Sequence, residues 1–364
     1  MMKKIGIITL YGDYNIGNKL QNYAVQTFFE EMGSECRTLR HWEMARRPFT
    51  FRTFLRKGCE IIGYPKEKAT VLRLETKRAK QFRTFSKQYL KLGERVKIKK
   101  LPKNLSERYN YFVVGSDQVW HNWTRSEKEL SYFLLKFAKR EQRYTIAPSF
   151  GKNEIEAKFL QSYADGLNGF DKLSCREQVG AELIQNLTGQ EVSVLADPTM
   201  LIDKKYWRRM EKKPIGFSGE KYILVYSLGG LTEEASKFVE QTSASYHLNV
   251  IDIFNVNFPE YYMTTPDEFL YYINRASLVV TDSFHACVFS ILYKTDFTVF
   301  NRVLRTMGNM TSRLDTLLSK FSLSGRKLEC VTHDNIFNTD FSMVEYVLQA
   351  EKDRAKDFYS DMII

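Results

Sequence analysis

The chain has 364 residues, of which 43% are hydrophobic and 27% charged, with a formal net charge of +11. Such a balance is ordinary for a globular protein, and the length predicts two domains, each able to bury its own core. No stretch reaches the roughly eighteen apolar residues of a membrane span. The apolar run after Met1 stops at Leu10, too short for a signal peptide, and five scattered cysteines without a C-x-x-C pair predict a reducing compartment and no structural zinc.

In chain order, Lys4–Leu10 reads as a buried strand and Tyr11–Asn18 (YGDYNIGN) as a turn rich in glycine and asparagine. Lys19–Met32 follows as a helix stopped by Gly33. This β-loop-α unit opens a Rossmann-like domain. Its loop carries neither G-x-x-x-x-G-K-[ST] nor G-x-G-x-x-G, so its glycines suit a tight turn or a contact with an anion or sugar.

The basic balance belongs to one segment. Arg37–Lys100 holds twenty Lys and Arg against five Glu and no Asp, a local charge of +15, while the rest of the chain sums to −4. Lys68–Leu90 predicts a long helix with Val71, Leu72, Leu74, Ala79, Phe82, Phe85 and Tyr89 on one face. Three readings of the charge compete: a solvated face, attraction to an anionic membrane surface or lipid-linked substrate, and nucleic-acid backbone binding. No nucleic-acid motif supports the third.

Tyr111–Gly115 predicts the next strand, with Ser116, Asp117 and Gln118 at its C-terminal end, where open α/β sheets place ligands. Further alternation follows. Tyr144–Pro148 is a strand, Asn153–Tyr163 a helix, and Lys172–Cys175 a strand ending in Arg176 and Glu177. Gln178–Asn186 reads as a helix and Val192–Leu195 as a strand. Arg176 suits a surface ion pair with Glu177 or another carboxylate, or an anion contact. Asp203–Glu220 is polar and reads as the interdomain connection.

A second α/β pattern begins at Lys221–Ser227, followed by a helix at Thr232–Tyr246, a strand at Asn249–Ile253 and a helix opening at Pro266. The unit at 278–300 is strand–turn–helix–strand, with Asp282 and Ser283 as N-cap candidates and His285 at the turn. A histidine there suits capping or packing, or acid–base work. Ser312–Leu318 is a short helix bearing Arg313, and Phe341–Asp361 is a final helix. The division predicted is an N-terminal Rossmann-like domain over 1–205 with a basic helical insertion at 37–100, a C-terminal Rossmann-like domain over 206–340, and a last helix at 341–364.

Four stretches together, GDYNIGNKLQNYAVQ (12–26), VVGSDQVW (113–120), ADPTMLID (196–203) and TDSFHACVFSI (281–291), resemble the polysaccharide pyruvyl transferase family, and MTSRLDTLL (310–318) fits the same pattern. The resemblance implies two Rossmann-like domains facing a cleft, similar to GT-B glycosyltransferases, with the last helix crossing back to the first domain. It implies transfer of pyruvate from phosphoenolpyruvate to a sugar of a surface-polysaccharide precursor as a cyclic ketal, in a cytoplasmic enzyme located peripherally at the inner membrane face. The acceptor is a saccharide, with a lipid-linked form as one option. Phosphoenolpyruvate is a donor substrate, and neither cofactor nor metal is expected.

On that basis His285 is the expected general acid, with Asp117 orienting the acceptor or a catalytic side chain. Arg176, Arg313, Ser283, Asn18 and Ser116 are expected substrate contacts. Better-known members carry Arg two residues before this histidine, where Ser283 stands here. Either Arg302, Arg305 or Arg313 supplies the missing cation, or the donor differs. The alternative activity on this scaffold is a glycosyltransferase with a nucleotide-sugar donor, using Glu329 or Asp296 to hold a ribose.

Overall fold

The computed structural model describes residues 2–41, 66–121, 126–302 and 312–362. Eleven strands and twelve α-helices alternate over these residues. The first sheet contains β1 (Lys4–Ile8), β2 (Glu35–His41), β3 (Leu92–Val96), β4 (Tyr111–Asp117) and β5 (Arg143–Pro148), all parallel, in the order β3-β2-β1-β4-β5. Ile5, Ile7 and Ile8 in β1 and Phe112, Val113 and Val114 in β4 are fully buried, as expected for central parallel strands covered on both faces. A short pair, β6 (Leu173–Cys175) with β7 (Val192–Val194), lies beyond β5. Thr145 and Ser174 join their hydroxyls at 2.9 Å across that boundary.

The second sheet is β8 (Tyr222–Tyr226), β9 (Asn249–Asp252), β10 (Leu278–Thr281) and β11 (Phe297–Val299), parallel, in the order β11-β10-β8-β9. Strand order reverses between β1 and β4 in the first sheet and between β8 and β10 in the second. Such switch points open crevices at the carboxyl ends of strands. Helix α1 (Ile16–Glu31) rises from the first crevice, capped by the Asn15 side chain, which accepts from Asn18 N at 3.1 Å. The helix thus begins inside the stretch that reads as a turn.

The basic segment is not wholly helical. Arg37–His41 belongs to β2 and residues 92–96 form β3, so both ends of the segment are strands of the first sheet. Between them α2 (Lys66–Tyr89) buries Leu74, Ala79, Phe82 and Phe85. Residues 42–65, with Arg46, Arg47, Arg52, Arg56 and Lys57, lie outside the described residues, as does Arg305.

Helix α3 (Glu127–Phe133) precedes β5. The helix expected at 153–163 starts later, as a 3-10 turn at Ala157–Phe159 leading into α4 (Leu160–Leu167). Helix α5 (Gln178–Thr188) links β6 to β7. The polar connection after 203 holds α6 (Lys204–Met210), whose Trp207 is fully buried. Helices α7 (Glu233–Tyr246), α8 (Pro259–Tyr262), α9 (Pro266–Arg275), α10 (Phe284–Tyr293) and α11 (Ser312–Lys320) surround the second sheet.

One apolar cluster runs from Ile5, Ile7 and α1 through Trp207 and Phe289 to Leu224 and Val279, so the two sheets share a core. Helix α12 (Val344–Phe358) ends the chain against the first sheet. Tyr359 donates to Thr145 O and packs on Phe28 and Phe29, with ring centroids 5.7 and 5.0 Å away. Glu351 accepts from Ala196 N at 3.0 Å and from Lys320 Nζ at 2.7 Å. No helix among the described residues is long and apolar enough to cross a membrane.

Candidate active site

The two switch-point crevices face one another across a cavity of about 550 Å³. From the first half, Asn15, Asn18 and Asp117 line it. From the second come Ser283, His285, Arg302 and Arg313.

Strand β4 delivers Asp117 through an unusual backbone. Gly115 has φ 123° and Asp117 φ 66°, both in the left-handed region. A Cβ at Gly115 would stand 2.3 Å from Ile146 O, so only glycine fits. Non-glycine residues in that region cluster at functional sites. The bend turns the Asp117 carboxylate toward Asn18, whose Nδ2 donates to it. Gln21 fixes the same bend, accepting from Ser116 N at 3.1 Å and donating to Thr9 Oγ1 at 2.7 Å.

Helix α10 delivers His285 in its first turn. The imidazole lies against Gly17 of α1 so closely that a Cβ there would stand 2.2 Å from Nδ1. Its Nε2 is buried, has no hydrogen-bond partner among the described residues and lies 3.7 Å from Asp197 Oδ2. Burial lowers the His285 pKa below its ordinary value. Asp197 and Asp117 oppose this, and Arg176 and Arg313 reinforce it. The unliganded site therefore favours the neutral ring near pH 7.

Asp197 is the hub behind the cavity. Its Oδ2 accepts from Arg176 Nη1 at 2.7 Å and from Ser116 Oγ at 2.9 Å. Its Oδ1 accepts from Thr199 N at 3.1 Å and Thr199 Oγ1 at 2.8 Å. Burial pushes its carboxyl up, but His285 and Arg176 outweigh that and hold it below the usual aspartate range. Asp197 was not among the sequence candidates. Its motif, ADPTMLID, stood out, but nothing local says that this aspartate meets residues 21 and 81 positions away.

Two residues expected as substrate contacts stand behind the cavity wall. Arg176 is 3% exposed and does not line the cavity. Its fork is held by Asp197 at 2.7 Å and Asp117 at 3.3 Å, neither of them the neighbouring Glu177, and its guanidinium stacks 4.2 Å from the Phe284 ring centroid. Ser116 is fully buried, its one hydroxyl proton shared between Ala147 O and Asp197 Oδ2, each at 2.9 Å. Both residues brace the wall of the site. Glu177 instead accepts from Ser149 Oγ and Phe150 N, each at 2.9 Å.

Asn18, Asp117, Ser283, His285 and Arg313 do meet on the cavity wall. Asp282 and Ser283 make no side-chain N-cap bond. Asp282 instead accepts from Leu228 N at 2.7 Å and Gly229 N at 2.8 Å, and holds Arg302 Nε at 2.8 Å. Arg313 is half-buried and forms no ion pair with the described residues. Burial lowers its pKa to about 10, Arg176 adds to that, and Asp117 and Glu177 oppose it. Arg302 and Arg313 are thus the cations facing the cavity beside Ser283. Among the described residues no three His, Cys, Asp or Glu side chains cluster as metal ligands.

The sequence matches the polysaccharide pyruvyl transferase family over residues 15–302. The chain belongs to that family. The match takes in both crevices, and the family identifies a transferase of polysaccharide biosynthesis. No curated protein matches the chain. Among solved structures, a candidate UDP-N-acetylglucosamine 2-epimerase from Listeria monocytogenes is similar at 10% identity, with 98% of each chain covered and a TM-score of 0.50. HepE of Anabaena, solved with UDP and glucose, is similar at 9% identity, covering 99% of this chain and 100% of its own, also with a TM-score of 0.50. These likenesses establish a GT-B-like fold for this member of the family.

Proposed function

We propose that the cleft transfers pyruvate from phosphoenolpyruvate to a saccharide of a surface-polysaccharide precursor, forming a cyclic ketal. The observation that carries this reading is the pairing, on the wall of one cavity, of a buried imidazole nitrogen on His285 with the cation of Arg313, the first without a hydrogen-bond partner and the second without a carboxylate partner among the described residues. Phosphoenolpyruvate needs both: a proton for its methylene carbon and cations for its phosphate and carboxylate.

In this reading Arg313 and Arg302 receive the anionic groups, taking the place of the arginine that Ser283 replaces. An arriving anion raises the His285 pKa and loads the ring with a proton. His285 passes that proton to the methylene carbon, and the adjacent carbon becomes electrophilic. A sugar hydroxyl attacks that carbon and releases its proton, with Asp117 orienting the acceptor. Phosphate departs, and a second hydroxyl attacks the same carbon, loses its proton and closes the ring. Asp197 and Arg176 stay behind the wall and hold His285 and Asp117 in register.

The alternative, a glycosyltransferase using a nucleotide sugar, has the GT-B-like fold on its side. The carboxylates considered for a ribose do not support it. Asp296 Oδ1 accepts from Thr339 N and Oγ1, at 3.0 and 2.5 Å, and neither Asp296 nor Glu329 lines the cavity. The two activities separate in one assay. Phosphate release from phosphoenolpyruvate that depends on added saccharide, and that His285→Asn abolishes, supports the proposal. Release of UDP from a UDP-sugar with phosphoenolpyruvate untouched overturns it.

A further inference from the structure

Lys19 is fully buried, a place lysine almost never takes unless it is paired. Its neighbours in the first turn of α1 belong to the cleft. Gly17 lies against His285, and Asn18 donates to Asp117. Lys19 instead turns back to the loop that joins β1 to α1. Its Nζ donates to Tyr11 O at 2.7 Å and to Asp13 Oδ1 at 3.2 Å, and it stands 5.5 Å from the Tyr11 ring centroid. Asp13 Oδ2 accepts from Arg83 Nη1 of α2 at 3.1 Å.

The residues of this loop divide between two sides. Leu10, Gly12, Tyr14 and Asn15 line the cleft cavity, while Tyr11 and Asp13 are the two that Lys19 holds. One ammonium therefore ties residues 11 and 13 from behind, which sets where Gly12 and Tyr14 stand on the cavity wall. Asn15 joins the loop to the helix, because its side chain accepts from Asn18 N.

We infer that Lys19 is a positioning residue, which clips this loop so that Gly12, Tyr14 and Asn15 form a preordered wall for the saccharide acceptor. The assignment to the acceptor rests on the proposed transfer reaction, in which the donor's anionic groups lie on Arg313 and Arg302 of the other half. The clip itself does not rest on that reaction.

The clip has a pH dependence of its own. Burial lowers the Lys19 pKa to about 8, Asp13 opposes that, and Arg83 reinforces it. Burial and Asp13 push the Tyr11 phenol up, with Arg40 and Arg95 opposing, so Tyr11 stays neutral over the same range. Lys19 is therefore charged at pH 7. As pH rises through about 8 it loses its charge and its ion pair, and Asp13 is left with Arg83.

Amide hydrogen exchange, read by mass spectrometry on the full chain without substrate, tests the clip. In wild type, peptides covering residues 10–15 should be protected at pH 7. They should lose protection above pH about 8, after correction for the intrinsic rise of exchange with pH. Lys19→Met keeps the length of the side chain and removes the amine. It should expose residues 10–15 at pH 7 and abolish their pH response, while the strands of the first sheet stay protected. Asp13→Asn removes the influence that opposes burial, so it should move the loss of protection to lower pH. Wild-type exchange of residues 10–15 in Lys19→Met, or an unmoved transition in Asp13→Asn, overturns the clip. Protection lost through the whole chain in Lys19→Met would make Lys19 a structural residue and overturn it as well.

Steady-state rates at pH 7 test the assignment to the acceptor, with the saccharide that supports phosphate release from phosphoenolpyruvate. Lys19→Met should raise KM for that saccharide roughly tenfold, about the factor for ordering one backbone residue on binding. Phosphoenolpyruvate affinity, measured by calorimetry, should stay unchanged. An unchanged KM for the saccharide, or a loss confined to phosphoenolpyruvate affinity, overturns the assignment. Since exchange is read without turnover, failure of the pyruvyl transfer assay and failure of the clip remain distinguishable.

Discussion

Asp197→Asn is the perturbation that probes the site most deeply, because it keeps the shape of the side chain and removes its charge. Every partner of both Asp197 oxygens is a donor: Arg176 Nη1, Ser116 Oγ, and Thr199 N and Oγ1. An amide in either orientation therefore points its NH₂ at one group that cannot accept, Arg176 Nη1 or Thr199 N, while the Ser116 and Thr199 hydroxyls can turn to accept. With the NH₂ at the Oδ2 position, the ion pair with Arg176 is lost, while Ser116 Oγ can donate to Ala147 O and accept from the amide. Breaking a buried ion pair by removing one charge costs about 3–5 kcal/mol. Arg176 keeps Asp117 and the face of Phe284, so the lower half of that range is expected. At roughly 2–4 °C per kcal/mol the melting midpoint falls by roughly 6–16 °C.

The pH dependence gives the sharper test of the same change. Asp197 is held below the usual aspartate value of 3.8. A carboxyl depressed in the folded state contributes stability above its unfolded value, and that contribution is lost as pH falls through the folded one. The stability gap between wild type and Asp197→Asn should therefore close as pH falls below about 4. Asp197 also opposes the burial that lowers His285. Its removal should shift the alkaline limb of the kcat profile, which reports the protonated His285, to lower pH and reduce turnover near pH 7. Chemical denaturation from pH 3 to 8, with steady-state rates over the stable range, reads both. A variant with wild-type midpoint and wild-type pH profile would refute the reasoning.

Three other changes follow from the geometry. His285→Asn should lower turnover by roughly 10²–10⁴-fold, the usual contribution of a positioned proton donor, with the far-ultraviolet spectrum retained. Gly17→Ala places a Cβ 2.2 Å from His285 Nδ1, so it should lower kcat by displacing the ring while phosphoenolpyruvate affinity, measured by calorimetry, changes less than kcat. Arg176→Lys keeps the charge but cannot span Asp117 and Asp197 together, so the melting midpoint should fall. Unchanged stability with a large loss of donor affinity would instead return Arg176 to direct substrate contact.

The sequence exposed the elements whose pattern is local. Central strands such as β1 and β4 are continuous apolar runs, and the strand–helix–strand unit around His285 carries its own apolar core. Both proved to flank the cavity. Strand β3, LGERV, escaped because Gly93, Glu94 and Arg95 break up its apolar ends, Leu92 and Val96. The onset of α1 escaped because its cap, Asn15, sits inside a glycine-rich stretch. Asp197 escaped for a different reason. Its role depends on Arg176, Ser116 and His285 arriving from three other strand ends, and no spacing within one motif records that. Arg176 shows the reverse case: a residue that stands out in the sequence, whose partners Asp197 and Asp117 come together with it only in the tertiary structure.

The most direct test of the central claim is a crystal structure of the chain with phosphoenolpyruvate bound. The account predicts the ligand in the cavity between Asn18 and Ser283, its anionic groups on Arg313 and Arg302, and its methylene carbon within reach of His285 Nε2. Phosphoenolpyruvate bound elsewhere, or a cavity that takes a uridine nucleotide and refuses phosphoenolpyruvate, would contradict it.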